Sequence, residues 1–181
     1  NYDLKFVCFN SDKWIGNGLL IPAGPLREKI KSISKYDAVF INGNEADITN
    51  LKLLIRRYNK DIKIFESHYI PINIDEFDIT ENYIIFSGIG NPETFKKTLI
   101  KNKFNILKEI TFPDHYDYSQ ANIEKIKLQA KNLNAKIITT EKDYVKISSN
   151  KNDEIKFLKI ELKVKNEKEL IDYLKLHIWN Q

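Results

Sequence analysis

The feature that most constrains the fold is the alternation of short apolar runs with amphipathic stretches along the 181 residues. Residues 4–9, 38–42 and 83–87 are apolar runs that predict buried strands, and apolar residues between such runs recur at helical spacing. Alternating strands and helices form mainly parallel sheets, because each crossover helix packs back on a face of the sheet. The sequence therefore predicts an α/β fold, a Rossmann-like three-layer sandwich with helices on both faces of a mainly parallel sheet.

The remaining elements follow the same alternation. Further strands are predicted at residues 62–69, 105–112, 135–139 and 156–162. Helices are predicted from Pro25 onward, where proline suits the first helical position, at residues 47–58, 92–101, 119–133 and 167–178, and briefly after Thr140. We expect a segment of residues 1–35 that leads into a C-terminal α/β domain of residues 36–181.

The charge is uneven along the chain. Residues 1–90 carry 11 basic and 12 acidic side chains, whereas residues 91–181 carry 18 and 13. A basic surface suits nucleic acid, anionic lipid or a phosphorylated substrate, although scattered lysines also serve to solubilise helix faces. The single cysteine, Cys8, lies in an apolar run and is predicted to be a buried small hydrophobic residue. One cysteine excludes a disulfide framework within the chain.

A glycine- and proline-rich stretch ends in Gly24, Pro25, Arg27 and Glu28. If Pro25 begins a helix, the free N–H groups of that helix end favour an anion, and Arg27 adds a fork of donors suited to phosphate. Glu28 would then orient Arg27 or hold a second polar group. The alternative is a simple turn with a surface ion pair.

Two further segments follow predicted strands. Gly88 and Gly90 begin a dinucleotide-binding fingerprint, but Glu93 stands where its third glycine belongs. The two glycines either allow a tight turn between strand and helix, or they let the start of the helix, near Asn91, bind a polar group. His115 lies between acidic residues after another strand, where ligands bind in open α/β sheets. It is a candidate for proton transfer, or an ordinary loop histidine.

The segment from Thr139 to Lys146 also follows a strand, and we leave open whether it binds a ligand or only caps a helix. The histidine spacing does not indicate a metal site. None of the six glycines is followed by lysine, so the chain contains no phosphate-binding P-loop of its own.

Five stretches, taken in order, resemble the tetraacyldisaccharide 4′-kinase family of lipid A biosynthesis. They are GNGLLIPAGPLRE from Gly16, DAVFING from Asp37, GIGNPETF from Gly88, FPDH from Phe112 and TEKDYVK from Thr140. The resemblance implies transfer of the γ-phosphate of ATP, with Mg²⁺, to the 4′-hydroxyl of a tetraacylated glucosamine disaccharide 1-phosphate. It also implies peripheral contact with the cytoplasmic face of the bacterial inner membrane.

The same resemblance implies two α/β lobes with the site between them. An N-terminal P-loop lobe would hold most of ATP and Mg²⁺, residues 1–35 would complete that lobe, and this chain by itself would be inactive. The family's catalytic histidine corresponds to His115 and its active-site pair to Arg27 and Glu28. Further substrate or phosphate contacts are expected at Gly24, Asn91, Asp114 and Lys142. After Asp114 and His115, many members of the family have a second polar or histidine residue, where this chain has Tyr116.

Two other functions are compatible with parts of the sequence. Residues 88–92 favour a nucleotide-sugar-binding transferase domain. The basic half, with its tyrosines, favours a nucleic-acid-binding module, but the chain contains no known nucleic-acid motif, so we expect no nucleic-acid partner.

Overall fold

The computed structural model describes residues 4–43, 47–147 and 153–178. Their strands are, in chain order, β1 (Phe6–Asn10), β2 (Ala38–Asn42), β3 (Lys63–Pro71), β4 (Asn82–Ser87), β5 (Asn105–Thr111), β6 (Lys136–Thr140), β7 (Ile155–Leu158) and β8 (Ile160–Val164). Their α-helices are α1 (Thr49–Tyr58), α2 (Pro92–Lys101), α3 (Gln120–Asn132), α4 (Glu141–Ile147) and α5 (Glu167–Ile178), and Ile30–Lys35 and Ile74–Glu76 form short 3₁₀ helices. The predicted α/β class is confirmed.

The chain divides into two compact units. Unit 1 comprises Asn1–Ile70 and Leu162–Gln181, and unit 2 comprises Pro71–Glu161. The boundary expected after residue 35 coincides with neither junction, because β1 and β2 lie on either side of it and pair in parallel within one sheet. Periodicity along the chain identifies strands but not their partners, so the sequence did not reveal this division.

Unit 1 is built on a sheet in the order β1-β2-β3-β8, in which β1, β2 and β3 run parallel. Successive side chains of a strand point to opposite faces. Val39 and Ile41 accordingly pack with residues of α1 in one buried cluster, whereas the rings of Phe40 and Phe65 pack together on the other face, with centroids 5.5 Å apart. Tyr173 of α5 contacts Phe65 with ring centroids 5.5 Å apart. Both faces of this sheet therefore carry helices.

Unit 2 contains a sheet in the order β5-β4-β6-β7, with all neighbouring strands parallel. Tyr83 and Ile85 of β4 belong to the core cluster that includes the α2 residues Phe95 and Leu99. The alternate β4 residues, Ile84 and Phe86, belong to a second cluster with residues of α3 and α4. This alternation produces the predicted three layers, since one strand supplies the core on both faces.

Two predicted elements are wrong in detail. No helix begins at Pro25, because the backbone of Leu26 pairs within the loop instead: its N–H donates to Leu19 O (3.1 Å) and its carbonyl accepts from Ile21 N–H (2.9 Å). The single strand expected at residues 156–162 is two strands in different sheets. They separate at Lys159, whose N–H donates to the side chain of Asn73 (2.8 Å).

The prediction for Cys8 is also wrong, since this residue is exposed. It lies on β1, at the edge of its sheet. None of the helices in the described part of the chain is long and apolar enough to cross a membrane.

Candidate functional site

The candidate site in unit 2 lies at the carboxyl ends of three adjacent parallel strands. Gly88 follows β4, residues 112–119 (the His115 loop) follow β5, and α4 follows β6 directly. Because β4 lies between β5 and β6 in the sheet, these three connections meet at one edge. The carboxyl edge is where ligands bind in open α/β sheets.

Asp143, in the first turn of α4, connects these segments. Its side chain is fully buried. Its Oδ2 accepts hydrogen bonds from Gly88 N–H at 2.9 Å and from the Thr140 hydroxyl at 2.7 Å. The Thr140 hydroxyl in turn accepts from Asp143 N–H at 3.2 Å, so the helix cap expected at Thr140 is present. The carboxylate, however, reaches a residue 55 positions earlier in the chain.

The second oxygen of Asp143 faces the same glycine. A Cβ on Gly88 would lie 2.9 Å from Tyr118 OH, 3.1 Å from Pro113 O and 3.3 Å from Asp143 Oδ1. Asp143 Oδ1 and the buried Tyr118 hydroxyl have no hydrogen-bond partner among the described residues. Lys146 Nζ lies 4.0 Å from Asp143 Oδ1 and supplies the opposite charge. Only glycine fits this crowded position without displacing a neighbour.

The surroundings of Tyr118 change the pKa of its phenol. Burial raises the pKa of the Tyr118 phenol well above its ordinary value of 10.0, and the neighbouring Asp143 carboxylate raises it further. The Tyr118 ring also packs edge-on against Phe86 of the core, with centroids 5.5 Å apart. The phenol therefore stays protonated beside Gly88.

His115 projects from this framework into solvent. Its side chain is 76% exposed. Its backbone has φ 62°, a left-handed conformation that is uncommon outside glycine. The His115 N–H donates to Gly88 O at 3.2 Å and to Asp114 Oδ1 at 3.0 Å. These two bonds hold the histidine backbone in its strained conformation while the imidazole remains accessible.

Asp114 and Lys142 form an exposed pair next to His115. Lys142 Nζ donates to Asp114 Oδ1 at 3.2 Å, and Asp114 Oδ2 lies 3.8 Å from His115 Nε2. The hydrogen bond from Lys142 lowers the pKa of Asp114 below its ordinary value of 3.8, although desolvation acts in the opposite direction. Asp114 is therefore a carboxylate at neutral pH, placed to orient an imidazolium or a nearby donor.

Asn91 and Gly90 lie between β4 and α2, at the same carboxyl edge of the sheet. Asn91 is half-buried, occupies the N-cap position and makes no capping hydrogen bond with its side chain. A Cβ on Gly90 would lie 3.3 Å from Asp114 Oδ2. The two glycines thus have different roles. Gly88 occupies a buried position with no room for a side chain, and Gly90 lies next to the exposed Asp114 carboxylate.

Unit 1 carries the other predicted residues in residues 16–28 (the glycine loop). Asn17 Nδ2 donates to Ala23 O at 2.8 Å, and a Cβ on Gly24 would overlap Asn17 Oδ1 and the Leu19 carbonyl. Arg27 and Glu28 follow in an exposed bend. Because no helix begins here, an anion at this loop would be held by side chains rather than by a helix end.

The structure brings together His115, Asp114 and Lys142 in unit 2, whereas Gly24, Arg27 and Glu28 belong to unit 1. Sequence reasoning missed the buried group formed by Asp143, Tyr118 and Gly88. The capping pattern concealed it, because the local bonds between Thr140 and Asp143 account for the spacing of these two residues without any distant partner. Among the described residues there is no cluster of three or more His, Cys, Asp or Glu side chains that would hold a metal ion.

Comparison with known proteins identifies the family to which this chain belongs. A sequence model of the family described as tetraacyldisaccharide-1-P 4′-kinase matches residues 1–178. The chain belongs to this family. The resemblance drawn from the five sequence stretches is thereby confirmed, because the match covers nearly the whole chain.

Relatives of the same family resemble the chain closely. The tetraacyldisaccharide 4′-kinase of Pelagibacter ubique (strain HTCC1062) is 48% identical over 173 residues, which is 96% of this chain and 55% of that protein. The enzyme of Rickettsia bellii (strain OSU 85-389) is 39% identical over 165 residues, 91% of this chain and 49% of that protein. The chain spans about half the length of the curated relatives it matches.

A solved structure has the same fold. The crystal structure of "apo" form LpxK from Aquifex aeolicus in complex with ATP aligns with a TM-score of 0.63, covering 97% of this chain and 53% of that one. The two sequences are 23% identical, so this likeness concerns the fold.

Proposed function

We propose that this chain takes part in transferring the γ-phosphate of ATP to the 4′-hydroxyl of a tetraacylated glucosamine disaccharide 1-phosphate. The observation that carries the proposal is the family match over residues 1–178. The relatives that it resembles at 48% and 39% identity are named tetraacyldisaccharide 4′-kinases. Phosphoryl transfer depends mainly on positioning and on neutralising charge, and exposed charged side chains are compatible with both demands.

In this proposal the chain acts with an N-terminal P-loop lobe, which residues 1–35 complete, in peripheral contact with the cytoplasmic face of the inner membrane. That lobe holds most of ATP and the Mg²⁺ that would neutralise phosphate charge. The described residues do not fit a metal site of their own, since they contain no cluster of three potential ligands. We therefore assign no Mg²⁺ ligand among them.

His115 is proposed to assist deprotonation of the acceptor hydroxyl. Its imidazole is exposed at the carboxyl edge of the sheet, and its backbone is held by Gly88 and Asp114. A proton-transfer group must reach its substrate in a defined geometry, and an accessible ring on a fixed backbone satisfies that requirement. Asp114, 3.8 Å from Nε2, would stabilise the imidazolium that forms.

Arg27 is proposed to neutralise charge on the transferred phosphoryl group, with Glu28 orienting its guanidinium. Gly24 allows the tight loop that presents them. Asn91 and Lys142 are proposed as weaker contacts to substrate or phosphate. Lys142 would bind an anion only by sharing its ammonium group with Asp114, since the two are paired at 3.2 Å.

The test is a kinase assay on the natural full-length protein with ATP and a tetraacyldisaccharide 1-phosphate. His115→Ala is expected to lower kcat by about 10²- to 10⁴-fold with little change in KM for ATP, as for loss of a general acid–base group. His68→Ala, which changes a histidine of β3 outside the proposed site, is the control and should leave kcat within about twofold. An unchanged kcat for His115→Ala removes this residue from the mechanism. Strong ATP-dependent phosphorylation by residues 1–181 without any other lobe would overturn the proposed division of labour.

A further inference from the structure

The His115 loop is attached to α4 at three consecutive residues. Lys142 Nζ donates to the side chain of Asp114 at 3.2 Å, and Lys146 Nζ donates to Tyr116 O at 3.0 Å. The residue between them, His115, is linked to Asp143 through Gly88. Helix α4 is therefore connected to this loop at three successive residues, directly at Asp114 and Tyr116 and through Gly88 at His115.

The link through Gly88 uses both of its backbone polar groups. Its N–H donates to Asp143 Oδ2 at 2.9 Å, and its carbonyl accepts from His115 N–H at 3.2 Å. Hydrogen bonds to a carboxylate are stronger than those between neutral groups. A shift of the carboxylate would thus move Gly88 and, with it, the residue that Gly88 holds.

Of the three attachments, the one through Gly88 contains the most deeply buried groups, since the bond from Lys146 to Tyr116 O is only partly buried. Asp143 is fully buried and Gly88 is buried, whereas the side chains of Lys142 and Asp114 are each 46% exposed. Water replaces a lost surface hydrogen bond, but it has no access to a buried one. If the Asp143 carboxylate were lost, water could therefore not replace its buried hydrogen bond to Gly88.

The conformation of His115 makes such an attachment necessary. A residue other than glycine at φ 62° is held in a disfavoured backbone state and persists there only when its surroundings enforce it. Without the bond from Gly88, the backbone would relax toward a common conformation and redirect the imidazole.

We propose that Asp143 is a positioning residue for His115, acting through the two backbone hydrogen bonds of Gly88, with Thr140 orienting the carboxylate. This inference rests on the proposed kinase function and on the proposed role of His115 in it. It assigns a purpose to the segment from Thr140 to Asp143 beyond capping α4. Asp143 does not touch the substrate in this scheme, and its effect on catalysis passes entirely through the histidine.

The test is a double-mutant cycle in the full-length enzyme, made of Asp143→Asn, His115→Ala and the double variant. Asp143→Asn is expected to lower kcat about 30-fold with KM for ATP within about twofold, because a misplaced catalytic group slows chemistry without weakening nucleotide binding. In the His115→Ala background the same change should lower kcat by less than about twofold, since no histidine remains to be positioned.

Glu141→Gln is the matched control, because it removes an exposed carboxylate from the same turn of α4. It is expected to leave kcat within about twofold in both backgrounds. If Asp143→Asn does not fold, as judged by circular dichroism, the cycle is run with Thr140→Val, which removes one of the two donors to Asp143 and keeps the side-chain shape. The same pattern of non-additive effects is then expected, with a smaller first step.

Two results would overturn the inference while leaving the proposed function intact. One is an equal fall in kcat in both backgrounds, which is the signature of a purely structural role. The other is an unchanged kcat for the variant at Asp143 when His115→Ala is strongly impaired. A normal kcat for His115→Ala itself is a different outcome, because it removes the proposed role of His115 and the inference with it.

Discussion

The glycine loop of unit 1 and the His115 loop of unit 2 both follow strands and both carry the charged residues that the family resemblance marks. They are held in place by different means. The glycine loop is closed by its own bonds, such as Asn17 to Ala23 and Leu26 to Leu19. The His115 loop is held by residues 27 to 30 positions away, namely by Gly88 before it and by two lysines of α4 after it.

Because of this difference, we expect substitutions in the two loops to affect stability and activity in different proportions. In the glycine loop the charged groups are exposed at the end of a locally closed structure, so we expect their loss to lower the proposed activity and to change the folding free energy little. In the His115 loop the backbone of the histidine is bonded to a buried glycine, which is bonded to a buried carboxylate, so we expect changes at these buried residues to affect both stability and activity. Four predictions test this distinction, beginning with the largest effect.

Arg27→Ala is expected to lower kcat/KM of the full-length enzyme by about 10³-fold, in the range for loss of an arginine that stabilises phosphoryl transfer. Its free energy of unfolding should change by less than about 0.5 kcal/mol, because the side chain is exposed. Steady-state kinetics and urea denaturation measure the two quantities. Lys29→Ala, a nearby exposed cation, is the control. Large losses of stability and activity together would contradict the local character of the glycine loop.

Asp143→Ala is expected to reduce the free energy of unfolding by about 3 kcal/mol, because it leaves the buried Gly88 N–H and the Thr140 hydroxyl without their acceptor. Urea denaturation followed by circular dichroism measures the change. Glu141→Ala, two residues earlier and exposed, should cost less than about 0.5 kcal/mol. Equal effects of the two variants would show that Asp143 is not the residue that holds this edge.

Gly88→Ala is expected to destabilise the protein by about 2 kcal/mol, since the added methyl group crowds Tyr118, Pro113 and Asp143 in a packed region. Gly90→Ala is the matched control. Its Cβ approaches only the side chain of Asp114, which is exposed and able to move, so we expect a cost below about 1 kcal/mol. Thermal unfolding of both variants measures the difference, and a larger cost at Gly90 would reverse the roles given to the two glycines.

Lys142→Ala is expected to raise the pKa of Asp114 toward its ordinary value of 3.8, because the hydrogen bond from Lys142 is the main cause of its low pKa. Since the pKa of the folded state lies below that of the unfolded state, the pair stabilises the protein above about pH 4 and loses this contribution as the pH falls through the folded-state pKa. NMR titration of the Asp114 carboxyl measures the shift. Lys125→Ala, an exposed lysine of α3, should leave the titration unchanged.

Local patterns in the sequence specified much of this protein. They specified the β-α alternation, the bounds of β2, α2 and α5, and the cap of α3 at Ser119, which accepts from Asn122 N–H in the structure. Each of these depends on interactions within one or two turns or along one strand, so neighbouring residues carry the information. The five family stretches were recognisable for the same reason, as contiguous runs.

Tertiary structure decided the rest. The division into two units, the splitting of residues 156–162 between two sheets and the exposure of Cys8 all depend on which strands pair, and the order of residues does not encode pairing directly. Asp143 is the clearest case. Its local bond to Thr140 follows from a spacing of three residues, but its bond to Gly88 spans 55 residues. That contact exists because β4 and β6 lie side by side in parallel, which brings their carboxyl ends together and buries the carboxylate between them.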